Sequence, residues 1–211
     1  MIEVNRVNHR ARLFLGVVLG LMLLLVIAFL IWGNTWRMSK GNREYQKAEY
    51  NRARECYEDL LVDLPNSPYV FNNLGLSLIK SGQNQKAVAN LKEATGGLEG
   101  LKMGKSRKSK LKNEFYYNLG YAFYDSAEKS RDQESQGNYR AALESFKVAI
   151  EADPKDMDAK YNYELTLLKL KQPPPDNSEQ KQNDAQNIMN LNDAQYFVPK
   201  IREEEPVDKD W

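Results

Sequence analysis

The stretch 68-PYVFNNLGLSLIKSGQNQKAVANLKEA-94 decides the fold. Phe71, Leu74 and Leu78, then Ala87, Leu91 and Ala94, recur at the three-to-four spacing of helices that bury one face. Gly75 sits in the first run and Gly82 between the two. The pattern is also written 34 residues earlier, from Gly41 through Tyr50, Ala53, Tyr57 and Pro65. It starts again at Gly120 with Tyr116, Leu119 and Phe123. The second half of that third copy, Gly137, Tyr139, Ala142, Phe146, Ala149 and Pro154, is displaced by ten residues.

Each copy reads as two antiparallel helices, A and B. Gly41, Gly75 and Gly120 stand where the two helices come closest, so a side chain there would force them apart. Ala53, Ala87 and Ala142 are the small partners on helix B. Pro65 and Pro154 end helix B, because proline removes a backbone donor and clashes with the preceding turn. One pair cannot bury its apolar face alone, whereas stacked pairs bury a continuous core.

A 34-residue period with these residues resembles the tetratricopeptide repeat. The resemblance implies an all-α helix-turn-helix solenoid over 34–171, with repeats at about 34–67, 68–101 and 113–156 and a capping helix at 157–171. Between repeats two and three, Gly96, Gly97, Gly100 and Gly104 break helix B, and a basic run (102–112) follows. Residues 125–136 are a polar insertion that either lengthens helix A or forms a loop. Residues 172–211 are polar and read as a disordered tail. The tail carries one apolar island, Ile188, Met189, Leu191, Tyr196 and Phe197, and ends in Val207-Asp208-Lys209-Asp210-Trp211.

Residues 1–12 are a basic N-terminal segment, and Leu13 to Trp32 carry no charge. Twenty residues at about 1.5 Å each span roughly 30 Å, a bilayer core. The expectation is a single transmembrane helix over 13–33, with Gly16 and Gly20 as a GxxxG at which two copies could pair.

Catalysis is not expected. The sole histidine, His9, precedes the repeats, and no nucleophile–base pair, phosphate loop or metal-ligand spacing is present in the sequence. No cofactor or metal is expected. The 30 basic and 29 acidic residues balance, which gives no reason to expect nucleic acid as a partner.

The chemistry that remains is binding. The register places Asn42, Tyr69, Asn73, Tyr117, Asn118, Tyr121, Tyr124, Tyr161 and Asn162 on the helix A face, as a groove for a partner peptide. Asparagine offers donors and an acceptor to a peptide backbone, and tyrosine offers apolar area with a polar tip. Chaperone-receptor repeats grip a terminal carboxylate with cations and asparagines. The corresponding places here are Met38, Asn42, Asn73, Glu114 and Asn118, without a cation. Asp208, Lys209, Asp210 and Trp211 are candidate docking residues of the tail.

A second resemblance covers nearly the whole soluble region. Tyr161-Asn-Tyr-Glu-Leu-Thr-Leu-Leu168 and the Val207–Trp211 end are similar to the tetratricopeptide component of the Bacteroides-aerotolerance (Bat) group. That resemblance implies a scaffold in the bacterial inner membrane, its repeats periplasmic, with von Willebrand A-type membrane partners. The alternative is attachment to anionic lipid or polymer through the basic run 102–112.

Overall fold

The computed structural model describes residues 2–130 and 132–171, with side chains described for 12–27, 33–130 and 133–171. The tail, including its apolar island and Asp208 to Trp211, lies outside the described residues. The described residues form seven α-helices: α1 (Ile2–Gln46), α2 (Tyr50–Asp63), α3 (Pro68–Lys80), α4 (Asn84–Gly97), α5 (Lys105–Lys129), α6 (Asp132–Ala152) and α7 (Met157–Lys171). A 3-10 turn, Leu98–Gly100, follows α4. Each helix packs on the next in the chain, so α1/α2, α3/α4 and α5/α6 are three pairs and α7 is the last of the described layers.

The close approach within each pair has one cause. A Cβ built at Gly41 would lie 2.6 Å from the Tyr57 ring, at Gly75 2.5 Å from Leu91, and at Gly120 2.7 Å from the Phe146 ring. Tyr57, Leu91 and Phe146 are fully buried, as are Ala53, Ala87 and Ala142. The register of 34 residues, plus the ten of the insertion, puts Glu164 of α7 where those glycines stand. Glu164 is exposed there.

Turn chemistry repeats as well. Gly82, between α3 and α4, has φ +76°, and Ala48, between α1 and α2, has φ +61° at the same register. Alanine in the left-handed region costs about 1–2 kcal/mol. We therefore expect Ala48→Gly to stabilise the fold by about 1 kcal/mol, read as a rise in thermal midpoint. An unchanged or lower midpoint would show that glycine's extra freedom in the unfolded chain cancels the relief. At the other end, Asp156 caps α7 by accepting the Ala159 amide at 3.0 Å. The same carboxylate accepts Asn113 Nδ2 of α5 at 2.7 Å, which ties the cap to the preceding layer.

Two features differ from expectation. Helix α1 runs through Asn34 and Thr35 without a break, so helix A of the first repeat is the end of a 45-residue helix. The insertion is helical and is shared: its first residues extend α5 to Lys129, and its last ones start α6 at Asp132. Gly137, placed at a turn by its register, consequently lies inside α6.

The expected transmembrane helix is overturned. Among the described residues, no helix is long and apolar enough to cross a membrane. The single-span anchor, and the inner-membrane location with periplasmic repeats that depended on it, are withdrawn with it. Gly16 and Gly20 have open space beside them, with nothing within 4 Å of a Cβ.

Candidate functional site

The helix A face is built on asparagines. Asn42 of α1 accepts the Tyr57 hydroxyl at 2.7 Å and Asn73 Nδ2 of α3 at 3.3 Å. Asn73 in turn accepts Asn72 Nδ2 at 3.3 Å, and Asn72 accepts Asn118 Nδ2 of α5 at 3.0 Å. From α7, Asn162 Nδ2 donates to the Tyr117 hydroxyl at 3.0 Å. The side chains thus run as a ladder across α1, α3 and α5, with a further rung from α5 to α7. Asn42, Asn72, Asn73, Asn118 and Asn162 are all buried. Buried amides stay in place only when bonded, so the ladder fixes the relative position of successive A helices.

Of the nine residues expected to line a groove, seven are buried: Asn42, Tyr69, Asn73, Tyr117, Asn118, Tyr124 and Asn162. Only Tyr121 and Tyr161 are part-exposed. Asn72 belongs to the same ladder and escaped the sequence reading. Its signal is the Asn72-Asn73 doublet, of which only the second residue repeats in the register. The tyrosines pack edge to face: Tyr69 on Phe115, Tyr117 on Phe146 and Tyr124 on Tyr139. Met38, Asn42, Asn73, Glu114 and Asn118, the places of the carboxylate grip, are all buried.

A second polar cluster, also missed by the sequence reading, is made by the shared insertion. Asp125 accepts Asn84 Nδ2 of α4 at 2.6 Å and pairs with Lys129 at 2.6 Å. Glu128 accepts the Tyr139 hydroxyl and pairs with Lys169 of α7 at 3.1 Å. These contacts tie α5 to α4, to α6 and to α7.

Burial and the nearby Asp125 push the Tyr121 hydroxyl up to about 12. Burial, then Glu128, raises Tyr124, and burial with the Glu128 hydrogen bond raises Tyr139. In each case the fold favours the neutral phenol. This stability is complete below the unfolded value near 10 and is lost as pH rises through the folded values. The thermal midpoint should therefore fall steeply above about pH 10, and less steeply in Tyr121→Phe. Equal slopes in the two proteins would show that Tyr121 does not carry the effect.

Cys56 is half-buried and burial pushes its thiol up, which makes it a poor nucleophile. The basic run is partly neutralised in place. Residues 105–112 form the first turns of α5, where Lys108 pairs with Glu99 at 2.8 Å and Lys112 lies 6.0 Å over the Tyr116 ring.

Stacked antiparallel helix pairs with glycine-permitted contacts define a repeat solenoid. Residues 68–96 and 127–172 match the tetratricopeptide repeat, and the chain carries these repeats. The chain is similar to "Small glutamine-rich tetratricopeptide repeat-containing protein 2" of Mycosarcoma maydis, 27% identical over 118 residues. That match covers 56% of this chain and 28% of the relative, so the chain spans little more than a quarter of that protein's length. Among solved structures, the Sgt2 TPR domain from Aspergillus fumigatus is similar with a TM-score of 0.52 and 24% identity, over 70% of this chain and 89% of that one. The first TPR of Spaghetti (RPAP3), bound to the HSP90 peptide SRMEEVD, has a TM-score of 0.53 and 16% identity, over 66% of this chain and 94% of that one. At those identities the likeness establishes the fold.

Proposed function

We propose that the helix A face of this scaffold receives a partner's peptide in extended form, read by tyrosine rings and uncharged amides. The observation that carries the proposal is the continuous line of asparagine and tyrosine across α1, α3, α5 and α7, with Tyr121 and Tyr161 part-exposed on it. The structural relative that carries an HSP90 peptide makes a peptide the natural class of ligand. A grip on a terminal carboxylate is not the mode, because Met38, Asn42, Asn73 and Asn118 supply no cation and Glu114 would repel a carboxylate. Among protein partners, von Willebrand A-type proteins are the candidates that the Tyr161–Leu168 resemblance suggests. The tail end, Asp208 to Trp211, is proposed as a second docking element, with Trp211 as its anchor, since tryptophan is over-represented among interface hot spots.

The test uses the part-exposed tyrosines. Asn73 is buried and bonded, so its replacement would perturb folding as well as binding. Tyr121→Ala and Tyr161→Ala should leave the helical circular dichroism unchanged and weaken peptides selected on the full chain by about tenfold or more, the cost of a hot-spot truncation. Selected peptides that bind both variants as tightly as the parent would sink the groove reading.

A further inference from the structure

Two exposed features meet at one end of the array. The first is on α1, where twelve large apolar side chains between Leu13 and Ile27 are 43% to 72% exposed. Leu21 to Ile27 are consecutive and make about two turns, so that part of the helix is apolar on every side. Proteins in water rarely show so continuous an apolar surface, and one that does marks an interaction site. The second feature is the run 102–112, which holds six cations and no acid. Lys102, Lys105, Arg107 and Lys110 are exposed. Lys108 is bonded to Glu99, and the exposed Glu151 and Asp153 flank the Ala152 carbonyl that Ser109 bonds, which leaves the balance at this end positive. Acids in the first turn stabilise a helix, but α5 has none there and starts on Lys105, Arg107 and Lys108. The placement works against the helix, so folding does not explain it.

The asparagine ladder shows that the two features stand level. It joins α1, α3 and α5 side by side, through Asn42 to Asn73 and Asn72 to Asn118. At about 1.5 Å per residue, Ile27 lies roughly 22 Å before Asn42 and Lys105 roughly 20 Å before Asn118, whereas α3 begins only roughly 8 Å before Asn73. Helices α1 and α5 therefore both run past the start of α3. The first cations of α5 stand at the height where the exposed apolar part of α1 ends. Arg12, also exposed, stands at the other end of that part.

We infer that this end of the array docks on an anionic lipid surface, with Leu13 to Ile27 of α1 seated among acyl chains and the first turns of α5 on the headgroups. Crossing the bilayer is not part of it. Attachment of this kind adds buried apolar area to the attraction between cations and anionic lipid. A lipid surface is the occupant that uses both features. A second copy paired through α1 would leave the cations of α5 without a partner and bring two like-charged ends together. A soluble polyanion would pair with the cations and leave the apolar side chains in water.

Flotation of the full chain with lipid vesicles tests this. The parent should float with vesicles of equal parts phosphatidylcholine and phosphatidylserine, far less with phosphatidylcholine alone, and added salt should weaken the attachment. Lys102→Gln, Lys105→Gln and Lys110→Gln together should weaken it on the order of a hundredfold, about fivefold for each cation. Leu19→Asp, Leu23→Asp and Val26→Asp together should abolish flotation on both vesicles. Their thermal midpoint should match the parent's, since all three side chains are exposed. Equal binding to the two vesicles, or a cation variant that floats as the parent does, would overturn the proposal, because charge would then take no part. An apolar variant that still floats would overturn it as well and leave a site for polyanions alone. So would a parent that ignores vesicles and sediments as an oligomer in the ultracentrifuge, with the apolar variant a monomer, the mark of a second copy on α1.

Discussion

Gly120→Leu should unfold the third repeat. A Cβ there already lies 2.7 Å from two atoms of the Phe146 ring, and Phe146 is fully buried against Tyr117, 5.8 Å ring to ring. Neither helix can withdraw freely, since α5 is held to α6 and α7 by Asn113, Ser109 and Glu128. Overpacking costs about 1–3 kcal/mol for extra methylenes that a core can partly absorb, and a leucine against an aromatic ring lies at or above the top of that range. Gly120→Ala should cost less, and part of its cost should be recovered in Gly120→Ala with Phe146→Leu. Chemical denaturation of the parent, Gly120→Ala, Phe146→Leu and the double variant gives the coupling directly. Additive losses, with no recovery in the double variant, would show that the glycine is not there for the ring. The corresponding pair in the second repeat is Gly75 and Leu91, at 2.5 Å.

Asn73→Ala should cost about 2–4 kcal/mol, because it strands several polar groups at once. Its amide donates to Asn42 and lies 3.6 Å from Met38 Sδ, and its carbonyl accepts Asn72. Asn42 and Asn72 are buried on either side and would keep their polarity without this partner. The ladder also predicts where the loss is felt. Asn73→Ala should loosen α1 and α5 relative to α3, so hydrogen exchange should accelerate at the ends of all three helices. Asn118→Ala removes only the bond to Asn72 and should cost less. If Asn73→Ala melts with the parent, the ladder is incidental to stability and the stacking of the repeats rests on apolar contacts alone.

These two substitutions separate what is legible in the residues from what is not. Gly120 and Phe146 could be paired by counting, because the repeat period places a small residue on helix A opposite a large one on helix B. The asparagines could be placed on the helix A face by the same counting, but whether that face is open or shut could not. Period fixes direction around one helix, and exposure depends on how closely successive helices and distant segments approach. Seven of the nine expected groove residues are accordingly buried, and the structure leaves Tyr121 and Tyr161 as its part-exposed ones.

The sequence by itself determined the helix pairs, the glycine contacts and the proline stops. Each is a local or periodic property, set by side-chain size or backbone dihedrals over a few residues. Only the tertiary structure decided that the insertion is shared between α5 and α6, because a polar helical segment has no periodic feature marking where the chain turns back. It also decided that Asp125 meets Asn84, and that Glu128 meets Tyr139 and Lys169. Those residues come from four helices, and no spacing along the chain encodes a meeting that depends on how the layers stack.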